Sequence, residues 1–415
     1  KCLACSTGQY SDAKAKVCVD CDAGTYNSQT GQAHRTACSV CANGQHSLAG
    51  ATLCTNCVAG KYLTDPGHPH YLKATEHDDA GDCKICSFGQ YSGAGATVCI
   101  DCAGGLYIDD DGIDASNHGS CDTCPVGKYS IAGAAACIQC PKGMYNGEVG
   151  QSGASSCKTC QTGMYNGVTG ANVCVDCEAG THIVDAGKYA AEHITCKVCA
   201  SGYWSSAGAT VCTACVSGMY LEDGGLDKAL HNEVGDCTVC GSGRYSAAGA
   251  RACDKCVPGK YLLDEATGAV HHAAISKCLD CAYGQYAPDW GTTACTLCSK
   301  GRYNDLEGQS EPSACVVCSS GRYGASTGLQ TCTGECSAGT YLGDEGIDET
   351  LHDAASDCLI CSAGEYSGAG AKSCIDCEAG KYLTDAATTA SAHDHVGKCL
   401  ACSTGQYSDA KAKVC

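Results

Sequence analysis

The apolar positions of this chain fall into a short, recurring signature rather than into long runs. Cysteines stand in pairs, and each pair is followed by x-x-G-x-aromatic, as in CSTGQY (Cys5 to Tyr10) and CVAGKY (Cys57 to Tyr62). There are 21 such pairs, all C-x-x-C except Cys332/Cys336, which holds one extra residue. The aromatic is Tyr in 18 of the 21, with His46, His182 and Trp204 in the others, so it is a fixed structural position. Between pairs, small-residue segments such as GQYSGAGATVC (Gly89 to Cys99) and GEYSGAGAKSC (Gly364 to Cys374) place a turn between two brief extended pieces. That pattern predicts minimal hairpins. Longer gaps hold occasional short helical stretches such as LDKALHNEV (Leu226 to Val234), where Asp227 suits an N-cap.

The gaps alternate. Short loops hold 12 or 13 residues, as between Cys5 and Cys18, and long ones 16 to 25, as between Cys57 and Cys83. The unit is therefore bipartite, with four cysteines and two Gly-x-aromatic motifs. It divides the chain into ten modules: 1–40, 41–85, 86–123, 124–159, 160–198, 199–239, 240–280, 281–317, 318–360 and 361–401. A larger period lies over these, because residues 398–415 repeat residues 1–18 without a change, at an offset of 397. Modules elsewhere have diverged far more, so 398–415 reads as the start of a second super-repeat. The expectation is a piece of a longer secreted precursor that continues Val-Asp-Cys after Cys415, as Val19 to Cys21 do after Cys18.

Composition changes the picture of what holds such modules together. The chain has 43 Cys and 54 Gly but one Phe, two Trp and three Met, too few large side chains for an ordinary core. A 40-residue module cannot bury enough apolar surface to fold alone. Disulfides closing its loops would each contribute roughly 2–4 kcal/mol in place of that core. They persist only in oxidising compartments, which places the protein at the cell surface or outside the cell. The predicted fold is a small disulfide-rich repeat: an elongated, quasi-linear array of four-cysteine modules with short β-hairpins, short helical turns and no large core.

Two connectivities fit. A sequential ladder joins the second cysteine of each pair to the first of the next: Cys5 to Cys18, Cys21 to Cys38, Cys41 to Cys54, Cys57 to Cys83 and Cys86 to Cys99. A crossed scheme joins Cys2 to Cys18 and Cys5 to Cys21. The crossed scheme leaves every long loop unclosed, which favours the ladder. Within the signature, Gly8, Gly24 and Gly60 suit a positive φ or a close strand approach. Tyr10, Tyr26 and Tyr62 offer a flat face over the neighbouring disulfide while the hydroxyl stays wet.

The formal charge of −19 argues against nucleic acid and against an anionic membrane surface. No apolar run approaches the roughly 18 residues of a membrane span. No Asn-x-Ser/Thr sequon occurs, which leaves O-linked glycans as the expected decoration. C-x2-C-x12-C-x2-C is also zinc-site spacing. The unbroken tandem array, the acidic charge and the Gly-x-Tyr context weigh against zinc, and twenty-one copies with no strand–helix framework around any of them weigh against thiol–disulfide exchange at C-x-x-C.

Acidic clusters, among them DDDGID (Asp109 to Asp114) and GDEGID (Gly343 to Asp348), sit in long loops. Asp109, Asp111, Asp114, Asp344 and Asp348 are weak calcium candidates beside the plainer reading of a solvated turn, since none has EF-hand spacing. Histidine recurs six residues before the closing cysteine: His77, His231, His272, His352 and His393. Asp227/His231 and Asp348/His352 stand four apart and would share a helical face. A packed or capping role is expected, with a pH-sensitive or metal-linked contact between subunits as the alternative. No nucleophile–base constellation or phosphate loop is present, so no enzyme is expected.

The tandem C-x-x-C-x-x-G-x-Y run resembles the ephrin-receptor-like cysteine-rich repeats, relatives of the modules of tumour-necrosis-factor and growth-factor receptors. The resemblance covers essentially the whole chain. It implies laddered extracellular modules that serve as stalks, adhesive surfaces or receptor ectodomains. Long, nearly pure arrays are also similar to protist and algal surface proteins, including the hair-like mastigonemes. Proline after the second cysteine, frequent in the family, stands here at Pro125 and Pro141 and is mostly absent elsewhere. The expected role is a non-enzymatic subunit of a surface filament or hair that associates with copies of itself. A surface antigen, adhesin or receptor-type stalk is the alternative.

Overall fold

The computed structural model describes residues 3–65, 73–185 and 187–415. They fall into two compact units, 1–197 with 206–211, and 198–205 with 212–415. Both are built in the same way.

In the first unit, Gly8 takes a positive φ of 79° and turns the chain into a two-residue strand, Gln9–Tyr10. It pairs antiparallel with Val19–Asp20, Gln9 opposite Asp20 and Tyr10 opposite Val19. The second strand is thus the x-x of the next C-x-x-C. Side chains alternate along a strand, so cysteines three apart point to opposite faces. One cysteine closes the loop just completed, and the other opens the next. Thr25–Tyr26 with Ser39–Val40 repeats the arrangement across a long loop. In the second unit Arg244–Tyr245 pairs with Asp254–Lys255, and Lys260–Tyr261 with Leu279–Asp280. Every sheet among the described residues has two strands.

Two-residue hairpins are not stable singly. Stacking of successive hairpins supplies what each lacks. Gly8 N donates to Asn27 O of the next hairpin at 2.7 Å, and Asn27 N donates to Ala51 O of the one after at 3.1 Å. Tyr26 and Ala51 also form a parallel bridge. The Gly-x-aromatic glycine is needed here for two reasons at once. A Cβ on Gly8 would lie 2.1 Å from the carbonyl oxygen of Gly50, and one on Gly218 in the second unit 1.8 Å from that of Ala269.

Disulfides and isolated aliphatic residues fill the interior. Cys215, Leu221 and Cys237 form one buried cluster, with Trp204 and Met219 packed against it. Cys256, Leu262 and Cys278 form another, under Tyr245 of the preceding hairpin. Modules of two-strand hairpins, 3-10 turns and no large core are the architecture. The helical stretch expected over Leu226 to Val234 is instead two 3-10 turns, Lys228–Leu230 and Val234–Asp236. The Asp227 carboxylate caps the first by accepting from Ala229 N at 2.9 Å. The turn ends at His231, whose φ of −133° leaves the helical region. Three residues are too few to repay the cost of nucleating an α-helix.

Candidate functional site

Each hairpin leaves an outward carbonyl on the residue before its aromatic, and the next hairpin covers it. Buried without a donor, that oxygen would cost about 1–3 kcal/mol. The chain supplies a donor from the position just after the aromatic of the following hairpin. Ser47 Oγ donates to Thr25 O at 3.0 Å, and Ser246 Oγ to Met219 O at 2.8 Å. Asn27 Nδ2 donates to Gln9 O at 2.9 Å and Asn304 Nδ2 to Gln285 O at 3.0 Å. Asn27, Ser47, Ser246 and Asn304 are all at most 3% exposed. The sequence reading missed this position, and the signal was a Ser or Asn after most aromatics.

Where a long-loop hairpin carries Leu or Ile there instead, no polar group is left for the carbonyl, and a histidine from the long loop takes over. His231 places Nδ1 2.6 Å from Tyr203 O, and His393 places its Nδ1 2.7 Å from Glu365 O. His77, His118, His193, His272 and His352 meet Gln45, Gln90, Met164, Arg244 and Arg322 carbonyls in the same way. All seven rings are wholly buried. His118 and His193 stand three residues before the closing cysteine rather than six, so the spacing rule passed over them.

The other ring nitrogen faces a carboxylate. Nε2 of His231 lies 2.9 Å from Asp223, that of His393 2.8 Å from Asp385, and that of His193 3.1 Å from Asp185. The partner is thus the aspartate two residues after the buried Leu or Ile, not the one four residues before the histidine. The expected Asp227/His231 and Asp348/His352 pairs are replaced by Asp223/His231 and Asp344/His352. The 3-10 turn reverses the chain between them, which brings the residue eight back against the ring and points the residue four back at the turn's own N–H groups.

The calcium candidates divide in the same way. Asp114 and Asp348 are N-caps, accepting from Ser116 N at 2.9 Å and from Thr350 N at 3.0 Å. Asp344 Oδ2 accepts from Gly346 N, Ile347 N and Asp348 N as well as facing His352. Asp109 and Asp111 are exposed, and Asp110 between them is the residue against His118, at 3.1 Å. Backbone donors and histidine therefore meet Asp114, Asp344 and Asp348.

Such contacts hold Asp223 and Asp385 in their charged form. The His231 ring, then the N–H groups of Asp227, Leu226 and Gly225, keep Asp223 below the usual carboxylate range. At Asp385 the Thr388 hydroxyl, then His393 and the Thr388 and Thr389 N–H groups, bring it to about 2. A carboxylate depressed in the fold adds stability that is present above its unfolded pKa and is lost as pH falls through the folded one. Amide protection at Thr388 and Thr389 should therefore hold at about pH 5 and fall away towards pH 2. Hydrogen exchange read at these two amides would show it; Asp385→Asn, whose amide oxygen still accepts, should remove the pH dependence, and Asp385→Ala should remove the protection as well.

The cysteines form one ladder. Cys5 bonds Cys18, Cys21 bonds Cys38, Cys41 bonds Cys54, Cys57 bonds Cys83 and Cys86 bonds Cys99. The order continues to Cys402–Cys415, and the wider pair Cys332/Cys336 takes part without a break. Cys2 lies outside the described residues. Gly24 and Gly60 share the positive φ of Gly8 (80° and 84°), and Tyr10, Tyr26 and Tyr62 are half-buried strand residues.

Residues 127–177 match the family model described as tyrosine-protein kinase ephrin type A/B receptor-like. The chain therefore carries an ephrin-receptor-like cysteine-rich domain within an array of disulfide-bonded repeats. The matched stretch holds Pro141 and begins two residues after Pro125, the positions with proline after the second cysteine. No curated protein matches the chain. Among the described residues no helix is long and apolar enough to cross a membrane. Disulfides at this density, with that domain, point to a secreted or extracellular protein.

Proposed function

We propose that this chain is a non-enzymatic structural subunit of an extracellular filament or surface hair, and that it associates with copies of itself. One observation carries the reading: 18 residues recur unchanged at an offset of 397 in a chain whose modules otherwise diverge. A periodic chain at that scale suits a periodic assembly. The stacking rules support it, because the hairpin-to-hairpin backbone hydrogen bonds recur across short and long loops alike. The buried histidines support a structural role as well: all seven rings are wholly buried, and in His193, His231, His272, His352 and His393 both ring nitrogens have hydrogen-bond partners. O-linked glycans are the proposed decoration of the serine- and threonine-bearing turns.

A second reading, an adhesin, antigen or receptor-type stalk, draws on the long loops. Disulfide-bonded cysteines across short loops are always 13 or 14 apart, but those across long loops range from 17 to 26, which suits display of variable surface. Electron microscopy of native material with and without reductant separates the two. Regular filaments with one axial repeat per super-period, lost on reduction, are the expected result. Single threads without lateral or helical order would overturn the filament and leave the stalk.

A further inference from the structure

We propose that the long loops are closed by buried imidazolium–carboxylate clasps at His193, His231, His272 and His393, so that the array carries a built-in pH-sensitive latch at each of these loops. The argument is one of donors and acceptors. A main-chain carbonyl can only accept, so Nδ1 at 2.6 Å from Tyr203 O, 2.7 Å from Arg244 O and Glu365 O, and 2.8 Å from Met164 O must carry a hydrogen. Nε2 faces a carboxylate oxygen at 2.9 Å in His231 and His272, 2.8 Å in His393 and 3.1 Å in His193. One of that pair must supply a proton.

The surroundings of the aspartate decide which. In Asp223 the oxygen that meets the ring already accepts from Gly225 N at 3.0 Å and Leu226 N at 3.1 Å, and in Asp185 from Lys188 N at 3.0 Å and Tyr189 N at 3.1 Å. In Asp385 it accepts from Thr388 N, while the second oxygen takes the Thr388 hydroxyl at 2.6 Å; Asp264 and Thr267 repeat this. An oxygen ringed by N–H donors is an acceptor, and a protonated carboxyl there would set hydrogen against hydrogen. The proton belongs on Nε2, and the ring carries both.

Other charges nearby are turned elsewhere. At His231 the preceding hairpin presents its Tyr203 carbonyl to the ring, while Asp227 and Asp236 of the same loop serve backbone N–H groups. At His393 the Glu365 side chain pairs with Lys411, and Asp394 with His395. At His272 the Arg244 guanidinium reaches Cys253 O, and the neighbouring His271 acts on Asp264 in the direction that favours its ionised form. At His193, Lys188 lies over the Tyr189 ring. Each clasp thus sets a buried ring against a partly exposed carboxylate and joins the start of a long loop, its end and the previous hairpin. Loss of the ring proton at rising pH leaves Nε2 as an acceptor facing a carboxylate, and the loop lifts from the hairpin.

Ring 15N spectra of the oxidised full chain labelled at histidine test this. At about pH 8, where an unperturbed histidine is neutral, these four rings should show both nitrogens protonated, as should His352, which meets Arg322 O and an N–H-ringed oxygen of Asp344 in the same way, while exposed His34 shows the neutral pattern. Further raising the pH should convert them, with amide exchange in residues 226–230 rising about tenfold or more as the charged hydrogen bond is lost. In Asp223→Asn the His231 ring alone should become neutral with hydrogen on Nδ1, leaving the other signals in place. Neutral rings with a bare Nε2 at these four sites at pH 8 would overturn the proposal, as would an unchanged His231 signal in Asp223→Asn.

Discussion

Cys215→Ala with Cys237→Ala is expected to lower local stability by about 3 kcal/mol, from the loop-closure entropy of the 22-residue separation it frees. Leu221 is buried against both sulfurs, so a cavity adds to that loss. Because each hairpin bonds the next and the one after, the damage should stay local. Limited proteolysis should open residues 216–236 while the Cys361–Cys374 and Cys377–Cys399 loops stay resistant. Cooperative cleavage of the whole array would contradict this nearest-neighbour description. The matching short-loop pair, Cys240→Ala with Cys253→Ala, closes 13 residues and should cost only about 0.5 kcal/mol less, since closure entropy grows as a logarithm.

Gly218→Ala should be comparably severe, at about 2–5 kcal/mol. The φ of 88° costs an L-residue roughly 1–2 kcal/mol, and forcing apart tightly packed atoms typically costs a further 1–3 kcal/mol. The new methyl would meet a main-chain oxygen 1.8 Å away, which cannot swing aside as a side chain could. Gly368→Ala provides the control: it is exposed, has nothing within 4 Å of the added methyl, and should change stability by no more than about 0.5 kcal/mol. Denaturant midpoints for the two variants check both. Equal effects would mean that the close hairpin approach is not what the Gly-x-aromatic glycine provides.

The histidines show where the sequence could have been read further. Every long-loop hairpin with an Asp–His clasp carries Leu or Ile, any residue and Asp after its aromatic: Leu63 and Asp65, Ile108 and Asp110, Leu221 and Asp223, Leu383 and Asp385. Hairpins whose aromatic is followed by Asn27, Asn146 or Asn304 have no such Asp and close shorter loops. The two solutions are alternatives for one buried carbonyl. Counting back from the cysteines found five of the histidines. Counting forward from the aromatic would have found all seven.

The amino-acid sequence by itself determined what is local: paired cysteines, alternating loops, a glycine and an aromatic in fixed places, and hairpins too small to have a core. Those features repeat along the chain, and their spacing follows from strand and turn geometry within a dozen residues. Tertiary structure alone decided which carboxylate meets which histidine, which residue is buried, and which of two connectivities the cysteines take. Those choices are made between hairpins. His231 reaches a carbonyl 28 residues back, because stacking buries that oxygen and something must donate to it.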